Sequence, residues 1–438
     1  MRSKHIYQII TAFLFLHAGF VQAQTSNSLG TFTPYSMFGM GEMVRQGTPY
    51  NMSMGGIGVA LRDHRFINYL NPASITARDT LAFMLDFGVE SYNIYLKDSY
   101  TKSAFNAVNM SHIVFSFPLY RQSAMVVGFT PYSHVGYKFE EKELRPEFVS
   151  EIGDIAYQHF GEGSINQLFM GGAVSISKNF FAGVQGIYYF GTLYRNSNTL
   201  TGNSLYNSTY VSNNTVVESF AAKFGLQYAG KIGNRSVVTA GATFLLPSTL
   251  KGNVTKLATV SIGSGMDTVS LATNAAQMQI PSEFAVGISV GRKMFADIEG
   301  NINRWMAGFD YTYQDWSQTT FTPTPGVHFS PTVKSTYRFG FEFTPDYYNP
   351  RYAYKRWTYR GGLYYEETYM QLNGQQVNAM GVTFGVSFPV FRWSNMINVG
   401  VDLGQRGGMR EELVRERYMM FRISTSLYDI WFRKMKYE

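Results

Sequence analysis

Residues 81–90 read LAFMLDFGVE, and their side chains alternate in chemical character along the chain. One set is apolar and the other is small, polar or acidic, with Leu81, Phe83, Leu85, Phe87 and Val89 against Ala82, Met84, Asp86, Gly88 and Glu90. A period of two predicts a β-strand whose two faces meet different surroundings. In a membrane-spanning strand, apolar side chains meet lipid and polar or small ones face a lumen. This stretch therefore predicts a transmembrane strand.

The same alternation returns along the chain, for example at 220–228, 284–290, 380–388 and 397–403. The polar face of a soluble sandwich meets bulk water and carries many charges, whereas this one favours Gly, Ser, Thr and Gln with isolated charges. The pattern predicts an all-β protein, a transmembrane antiparallel β-barrel of about 14 strands. We place the strands near residues 81–92, 108–117, 122–133, 164–176, 180–194, 217–230, 236–247, 281–291, 303–316, 334–344, 356–369, 378–389, 395–404 and 415–427.

The links between the first eight segments alternate in length. Links 93–107, 134–163, 195–215 and 248–280 are long, whereas 118–121, 177–179 and 230–236 are short. Outer-membrane barrels have short periplasmic turns and longer outer loops. An even number of strands with both ends in the periplasm lets the sheet close, which removes its edges.

Composition narrows the class of protein further. The chain has no Cys, which excludes disulfides and thiolate chemistry, and it is 16% aromatic and only 15% charged. The net charge of +7 comes without a Lys/Arg run interleaved with aromatics, so nucleic acid is not the expected partner. Basic residues on an exported barrel meet anionic lipid headgroups, including lipopolysaccharide, or steer an acidic ligand. A secreted β-sandwich or propeller is the alternative at the level of composition.

The N-terminus predicts export. A short basic region is followed by an apolar stretch, and Val21-Gln22-Ala23 offers a cleavage site. We expect a signal peptide at 1–23, an N-terminal hatch at 24–78, the barrel at 79–427 and a periplasmic tail at 428–438. The expected location is the outer membrane of a Gram-negative cell.

A turn-prone stretch precedes the first strand, GGIGVALRDHRFINYLNPASI at 55–75. Fourteen strands enclose a lumen too wide for wall side chains to fill, so this stretch is the natural plug. Pro72 biases Asn71 away from helix. Gly55, Gly56 and Gly58 permit close backbone packing against the wall.

Several stretches, in this order, resemble the FadL/TodX-type outer-membrane transporters of hydrophobic compounds. They are SMGGIGVAL and NPASI within 53–75, IPSEFAVGIS at 280–289, DYTYQDWSQ at 310–318, TYRFGFEFTP at 336–345, YRGGLYYEETYMQLNGQQVNAMGVTFGVSFPV at 359–390 and INVGVDLGQRG at 397–407. The ending at 427–438, LYDIWFRKMKYE, looks like that of Bacteroidetes members, although Tyr437-Glu438 departs from the aromatic final residue of a generic barrel. The resemblance implies a hatch marked by Asn71, Pro72 and Ala73, and a route for long-chain fatty acids or aromatics. It implies no cofactor.

Such transport needs an apolar pocket near the outer face, a moving hatch and, in the family, a lateral gap. In VVGFTPYSHVGY at 126–137, Pro131 lacks a ladder donor and Gly128 and Gly136 permit a kink, so we expect the gap there. The alternative for this stretch is an ordinary strand end entering a loop.

Aromatic side chains of the long outer links are the expected pocket, namely Phe148, Tyr157, Phe160, Tyr206 and Tyr210. The alternative is an interfacial aromatic girdle. Alternation places Lys223 and Arg338 inward, where they would bind a ligand carboxylate or pair with a lumen acid such as Asp86 or Glu342.

Two other functions remain open. A barrel hydrolase would need a Ser and a His in contact, and His112 and Ser116 share a strand face, but no triad is evident and no metal-ligand cluster appears. The protein is therefore predicted not to be an enzyme. A scaffold or shuttle within a secretion system would use the same fold, with secretion-system proteins as partners.

Overall fold

The computed structural model describes residues 29–78, 82–98, 101–119, 123–203, 205–233, 236–263, 265–292, 303–321, 328–390, 395–408 and 413–430. The predicted signal peptide, and the predicted tail beyond residue 430, lie outside the described residues.

The described chain forms one closed antiparallel barrel of fourteen strands. The last strand pairs with the first, from Arg415 opposite Lys97 to Ile430 opposite Ala82. Three strands consist of two consecutive pieces. The strands are β1 (Ala82–Lys97), β2 (Lys102–Pro118), β3 (Ala124–Lys142), β4 (Ile155–Ser175), β5 (Phe180–Thr201), β6 (Thr209–Ile232), β7 (Ser236–Leu245 and Ser248–Ile262), β8 (Gly265–Ile280 and Glu283–Arg292), β9 (Arg304–Asp315), β10 (Phe329–Pro331 and Val333–Thr344), β11 (Thr358–Leu372), β12 (Gln375–Val390), β13 (Asn395–Arg406) and β14 (Arg415–Ile430).

The predicted fold class is confirmed, and each predicted strand overlaps one observed strand. Several strands are longer than predicted. For example, β4, β5 and β6 contain 21, 22 and 24 residues. Most of the predicted long links 195–215 and 248–280 is paired strand. Alternation detects a strand only while one face meets lipid, and pairing continues above the membrane where that contrast disappears.

The outward face of the barrel is apolar, as alternation predicted. Exposed side chains along it include Phe87, Val89, Phe220, Phe224, Phe284, Ile288, Phe339, Phe341, Leu363, Met380 and Phe384. Among the described residues, no helix has the length and hydropathy needed to cross a membrane.

The N-terminal segment, residues 29–78, is mostly irregular. It contains a 3-10 helix at Pro34–Met37, a short strand at Glu42–Met43, helix α1 at Pro49–Met52 and a 3-10 helix at Pro72–Ala77. Its hydrogen bonds reach inward-facing residues of strands on all sides of the barrel, such as Gln227, Asp310 and Thr383. The segment therefore lies inside the lumen.

Helix α2 (Pro146–Ile152) connects β3 to β4 at the barrel end opposite the β4–β5 and β6–β7 turns. The Arg145 side chain, 65% exposed, donates two hydrogen bonds to Glu143 just before this helix. Those hydrogen bonds lower the pKa of Glu143 to about 2. A lowered carboxylate pKa stabilises the folded form above the unfolded pKa, so this contact is lost only as the pH falls toward about 2.

Candidate functional site: the lumenal segment and a gap in the wall

Asn71 anchors the C-terminal part of the N-terminal segment. Its side-chain amide donates to the carbonyl oxygens of Val59 and Leu226, at 2.7 and 3.1 Å, and its Oδ1 accepts from the Ala73 amide. Asn71 thereby caps the 3-10 helix that begins at Pro72. The wall residues facing this turn are Gly225 and Gly183, where any side chain would collide with Asn71 or Pro72. The structure therefore places Asn71, Pro72 and Ala73 in close contact with β5 and β6.

Gly55, Gly56 and Gly58 lie against the opposite wall. Gly55 and Gly56 have φ of +70° and +88°, which favours glycine, and a side chain on Gly55 would meet the carbonyl oxygens of Phe339 and Leu363. The Gly55 amide donates to Thr383 Oγ1 at 2.8 Å. The amides of Gly58 and Val59 both donate to Asp310 Oδ2, at 2.6 and 2.8 Å. Polar wall side chains thus pair the buried backbone of the segment.

A buried ion-pair cluster joins the segment to β9, β10 and β11. Arg65 donates to Asp63 at 2.8 Å and to Glu342 at 3.1 Å. Arg304 reaches Asp63 at 2.7 Å, and Arg360 reaches Glu342 at 2.9 Å. Three guanidinium groups therefore share two carboxylates that are almost fully buried.

Two further buried ion-pair clusters lie nearer the outer end. Arg45 of the segment pairs with Asp402, which also accepts from Arg422 at 3.2 Å. Glu42 of the segment accepts from Arg406 at 2.7 Å, and Arg406 also pairs with Glu416. Each cluster again links a side chain of the segment to the wall.

Apolar side chains of the segment fill the lumen between these clusters. At the outer end, Phe38 stacks on Phe329 with ring centroids 5.5 Å apart, and Trp316 contacts Tyr369 at 4.8 Å. At the other end, a buried cluster contains Tyr50, Met54, Ile57, Leu61, Phe66, Met306, Tyr347 and Met396. The lumen is packed along these regions and is not an open pore there.

The barrel wall has a gap between β2 and β3. Their pairing runs only from Ile113 opposite Phe129 to Pro118 opposite Ala124, although the strands contain 17 and 19 residues. Residues 102–112 and 130–142 are fully described and make no ladder with each other. Of the predicted gap residues, Pro131 and Gly136 border this gap and Gly128 lies in the paired part just before it. The stretch 126–137 is continuous strand, so its interpretation as a strand end entering a loop is wrong.

The start of the N-terminal segment occupies the gap. Glu42 and Met43 pair with His134 and Ser133 of β3. On the β2 side, Asn109 donates to the Gly30 carbonyl at 2.6 Å, and Phe32 stacks on Phe105 with centroids 4.9 Å apart. The segment thus contacts both unpaired edges. Alternation could not predict this contact, because residues 30–43 show no periodicity.

The five predicted pocket aromatics do not come together. Phe148 lies under the Arg145 guanidinium on helix α2, and the Tyr157 hydroxyl donates to Glu143. Phe160 faces Lys138 in the β3–β4 ladder, Tyr206 lies in the β5–β6 turn and Tyr210 faces Asn198. A pocket depends on how loops pack, and alternation carries no information about that.

The inward placement of Lys223 and Arg338 agrees with the alternation, but their partners differ from those predicted. Lys223 lies 3.4 Å from Glu283, and Arg338 donates to Thr312 at 3.0 Å. Glu342 pairs with arginines of the buried cluster instead, and Asp86 lies 2.6 Å from His112. Wall alternation could not predict the arginine cluster, since Asp63 and Arg65 come from the irregular segment.

His112 contacts Ser111, its neighbour in the chain. Ser111 Oγ lies 2.7 Å from His112 Nδ1, and Asp86 lies on Nε2, while the imidazole side chain is 0% exposed. In a serine-protease triad the serine contacts Nε2 and the aspartate contacts Nδ1, so the two contacts are exchanged here. Within the described residues, no group of three or more His, Asp or Glu is placed to hold a metal.

The cluster at Glu342 predicts a stability effect. Replacing Glu342 with Gln leaves three guanidinium groups with the single carboxylate of Asp63, and we expect a loss of about 3–5 kcal/mol in the free energy of unfolding. Urea unfolding in lipid vesicles measures it. Adding Arg360→Gln to the same chain should recover part of the lost stability, because the cluster then has its original net charge again.

The matched control is Glu143→Gln, which removes a carboxylate whose arginine partner is exposed outside the membrane. It should change the unfolding midpoint far less than Glu342→Gln does, because an exposed ion pair contributes little to stability. A Glu342→Gln variant that unfolds like this control would show that the cluster does not hold the segment.

Comparisons place the fold among known barrels. The chain is similar to the CymD monoaromatic hydrocarbon channel, with a TM-score of 0.58, 13% identity and coverage of 90% of this chain and 100% of that one. It is also similar to a FadL homologue of Pseudomonas aeruginosa, with a TM-score of 0.57, 12% identity and coverage of 89% and 100%. It is similar as well to the toluene transporter TbuX of Ralstonia pickettii, with a TM-score of 0.55, 14% identity and coverage of 87% of this chain and 98% of that one.

The sequence itself assigns the family. No curated protein shows significant sequence similarity to the chain. Residues 5–438 match the family described as BamG. The family match and the barrel relatives together support an outer-membrane location. The chain belongs to the BamG family.

Proposed function

We propose that this protein is a barrel subunit in outer-membrane assembly and holds a partner protein on the outer side of the membrane. The BamG match supports an association with assembly, and the packed lumen fits a structural role. The single observation that carries the proposal is an unpaired sheet edge in β8. Glu283–Arg292 pairs with both β7 and β9, whereas Gly265–Ile280 pairs only with β7 among the described residues.

This edge has few of the features that protect natural sheet edges, apart from an irregularity in the ladder between Thr268 and Ser270. Gly265–Ile280 contains one charged residue, Asp267, and neither Lys nor Pro, which natural edges use against unwanted pairing. Its hairpin exposes four apolar side chains by 55% to 66%, namely Ile262, Met266, Val269 and Leu271. Unprotected edges of this kind accept an extended segment of another protein as an added strand.

The upper part of this edge, residues 265–274, lies beyond the bilayer. A spanning strand needs about 9–11 residues, and β6 alone has 24. Its outward apolar side chains end near Val216, and Ser212, Asn213 and Asn214 follow above them. Gly265–Asn274 pairs with Val254–Ile262 of β7, which in turn lies beside Thr209–Thr215 of β6. Lys251 and Lys256 on β7 are exposed beside the edge, so the partner segment is neutral or acidic.

Placing charge on the edge should release the partner. In Val269→Lys/Leu271→Lys, we expect at least about a tenfold loss of co-purifying protein from outer membranes, because added lysines oppose strand pairing. Quantitative mass spectrometry of the purified complex measures it. The control is Leu205→Lys in the β5–β6 turn, where the side chain is 85% exposed but lies off the edge.

The control variant should retain its partners. An edge variant that keeps every wild-type partner while migrating as a folded barrel would contradict docking at this edge.

Uptake of hydrophobic compounds is the second candidate function, favoured by the wall gap between β2 and β3. The similar solved structures include hydrocarbon channels, and long-chain fatty acids are the substrate class implied by the sequence resemblance. In this candidate the N-terminal segment acts as the hatch. An amphiphile would pass from the outer end into the bilayer beside Pro131 and Gly136 once Gly30–Phe32 and the Glu42–Met43 strand move away from the gap.

A disulfide across the gap tests this route. Met43 and Ser133 are directly opposed in an antiparallel pair, whose Cα separation of about 4.5–5.5 Å suits a disulfide. The chain has no other Cys. If the gap conducts, Met43→Cys/Ser133→Cys should lose uptake of radiolabelled oleate into vesicles when oxidised and regain it with dithiothreitol.

Met43→Cys alone should keep wild-type uptake under both conditions. Oleate uptake that is unchanged in the oxidised double variant would exclude passage through the gap.

A further inference from the structure

A cavity of about 560 Å³ lies at the barrel end that carries the β4–β5 and β6–β7 turns, between the N-terminal segment and the wall. Its lining comes from residues 61–64 of the segment, the β4–β5 turn and the ends of β6, β8 and β9. Both ends of the described barrel wall, Ala82 and Ile430, lie on this same side. The cavity therefore faces the periplasm.

Positive charge dominates this cavity. Among the described residues that line it, five are cations and one is a carboxylate, with Arg62, Lys178, Lys231, Arg292 and Arg304 against Asp63. Asp63 is already bound to Arg65 and Arg304. Within the described part of the chain, the other four cations have no carboxylate partner.

Among the described residues, the two arginines of these four bind only neutral oxygens. Arg62 Nη1 donates to Thr76 Oγ1 and to Gln227 Oε1, both at 3.0 Å. Arg292 Nη1 donates to Asn303 Oδ1 at 2.7 Å. Neither set of contacts neutralises the charge. Several cations around a confined cavity focus the electric field there and attract an anion.

The cavity also offers apolar and aromatic surface. Leu61, Phe181 and Trp305 line it, and the Arg62 guanidinium lies 3.5 Å above the centroid of the Phe181 ring. Its volume falls in the range of about 300–1,000 Å³ that is usual for ligand pockets. An occupant that combines negative charge with an apolar side chain would match both parts of the lining.

We propose that this cavity binds an acidic peptide segment of a periplasmic protein, with its carboxylates near Lys178, Lys231 and Arg292 and an apolar side chain against Phe181. The inference rests on the proposed assembly function, which requires partner proteins. A peptide can enter from the periplasm. A lipid headgroup would have to bring its acyl chains through a polar barrel mouth.

Binding of a synthetic peptide to the full-length barrel in nanodiscs tests the proposal. The probe is a fluorescein-labelled pentapeptide of four glutamates around a central phenylalanine, followed by fluorescence anisotropy. We expect Lys178→Gln/Lys231→Gln to weaken binding by about tenfold, and 0.5 M NaCl to weaken it similarly. The control Lys102→Gln/Lys142→Gln removes the same charge from exposed positions on the outer side and should change binding less than about twofold.

Three results would overturn the proposal. One is equal affinity for the peptide with glutamine in place of glutamate. The second is unchanged binding in Lys178→Gln/Lys231→Gln. The third is saturation by inorganic phosphate with no binding of either peptide, since the site would then recognise phosphate.

Co-purification separates this inference from the proposed function. If wild-type barrels bind the acidic peptide but bring down no assembly proteins, the cavity assignment holds and the assembly function fails. If assembly proteins co-purify equally with wild type and Lys178→Gln/Lys231→Gln, the assembly function holds and a role for the cavity in partner binding fails.

Discussion

Fourteen strands enclose more space than wall side chains can fill, and the rest of the structure follows from that constraint. The N-terminal segment fills the space, but much of it is irregular and its buried amides need partners. The wall supplies them from inward positions, as when Asp310 accepts from the amides of Gly58 and Val59. Small wall residues such as Gly183 and Gly225 make room for the segment. The polar lumen face is thus a surface shaped for this segment.

Buried charge determines how firmly the segment is held. Asp63 and Arg65 are satisfied only while they remain beside Arg304, Glu342 and Arg360. Withdrawing the segment would leave Glu342 and Arg360 facing an emptied lumen and break two further clusters. A large displacement is therefore costly, whereas moving residues 30–43 away from the gap disturbs only the cluster at Glu42, to which Thr31 also donates. Any passage through this barrel is more consistent with the wall gap than with the lumen.

Periodicity predicted the parts of the structure that repeat. Alternation placed all fourteen strands and the lipid-facing side chains of stretches such as 220–228 and 380–388, because lipid imposes a two-residue period. It also placed Lys223 and Arg338 inward. It could not predict the partners of inward charges, which come from an irregular segment distant in sequence. It missed the paired strand above the membrane, where the contrast between faces is lost, and the dispersal of Phe148 and Tyr206, which depends on loop packing.

The most direct test of this account is hydrogen exchange of the N-terminal segment in lipid nanodiscs, read by mass spectrometry. The amides of Gly55, Gly58, Val59 and Ala73 donate to buried oxygens, so we expect peptides covering 55–75 to exchange as slowly as those from β11 and β12. Exchange within seconds, at the rate of an unstructured loop, would mean that the segment leaves its place in the lumen. The packed-barrel account would then be wrong.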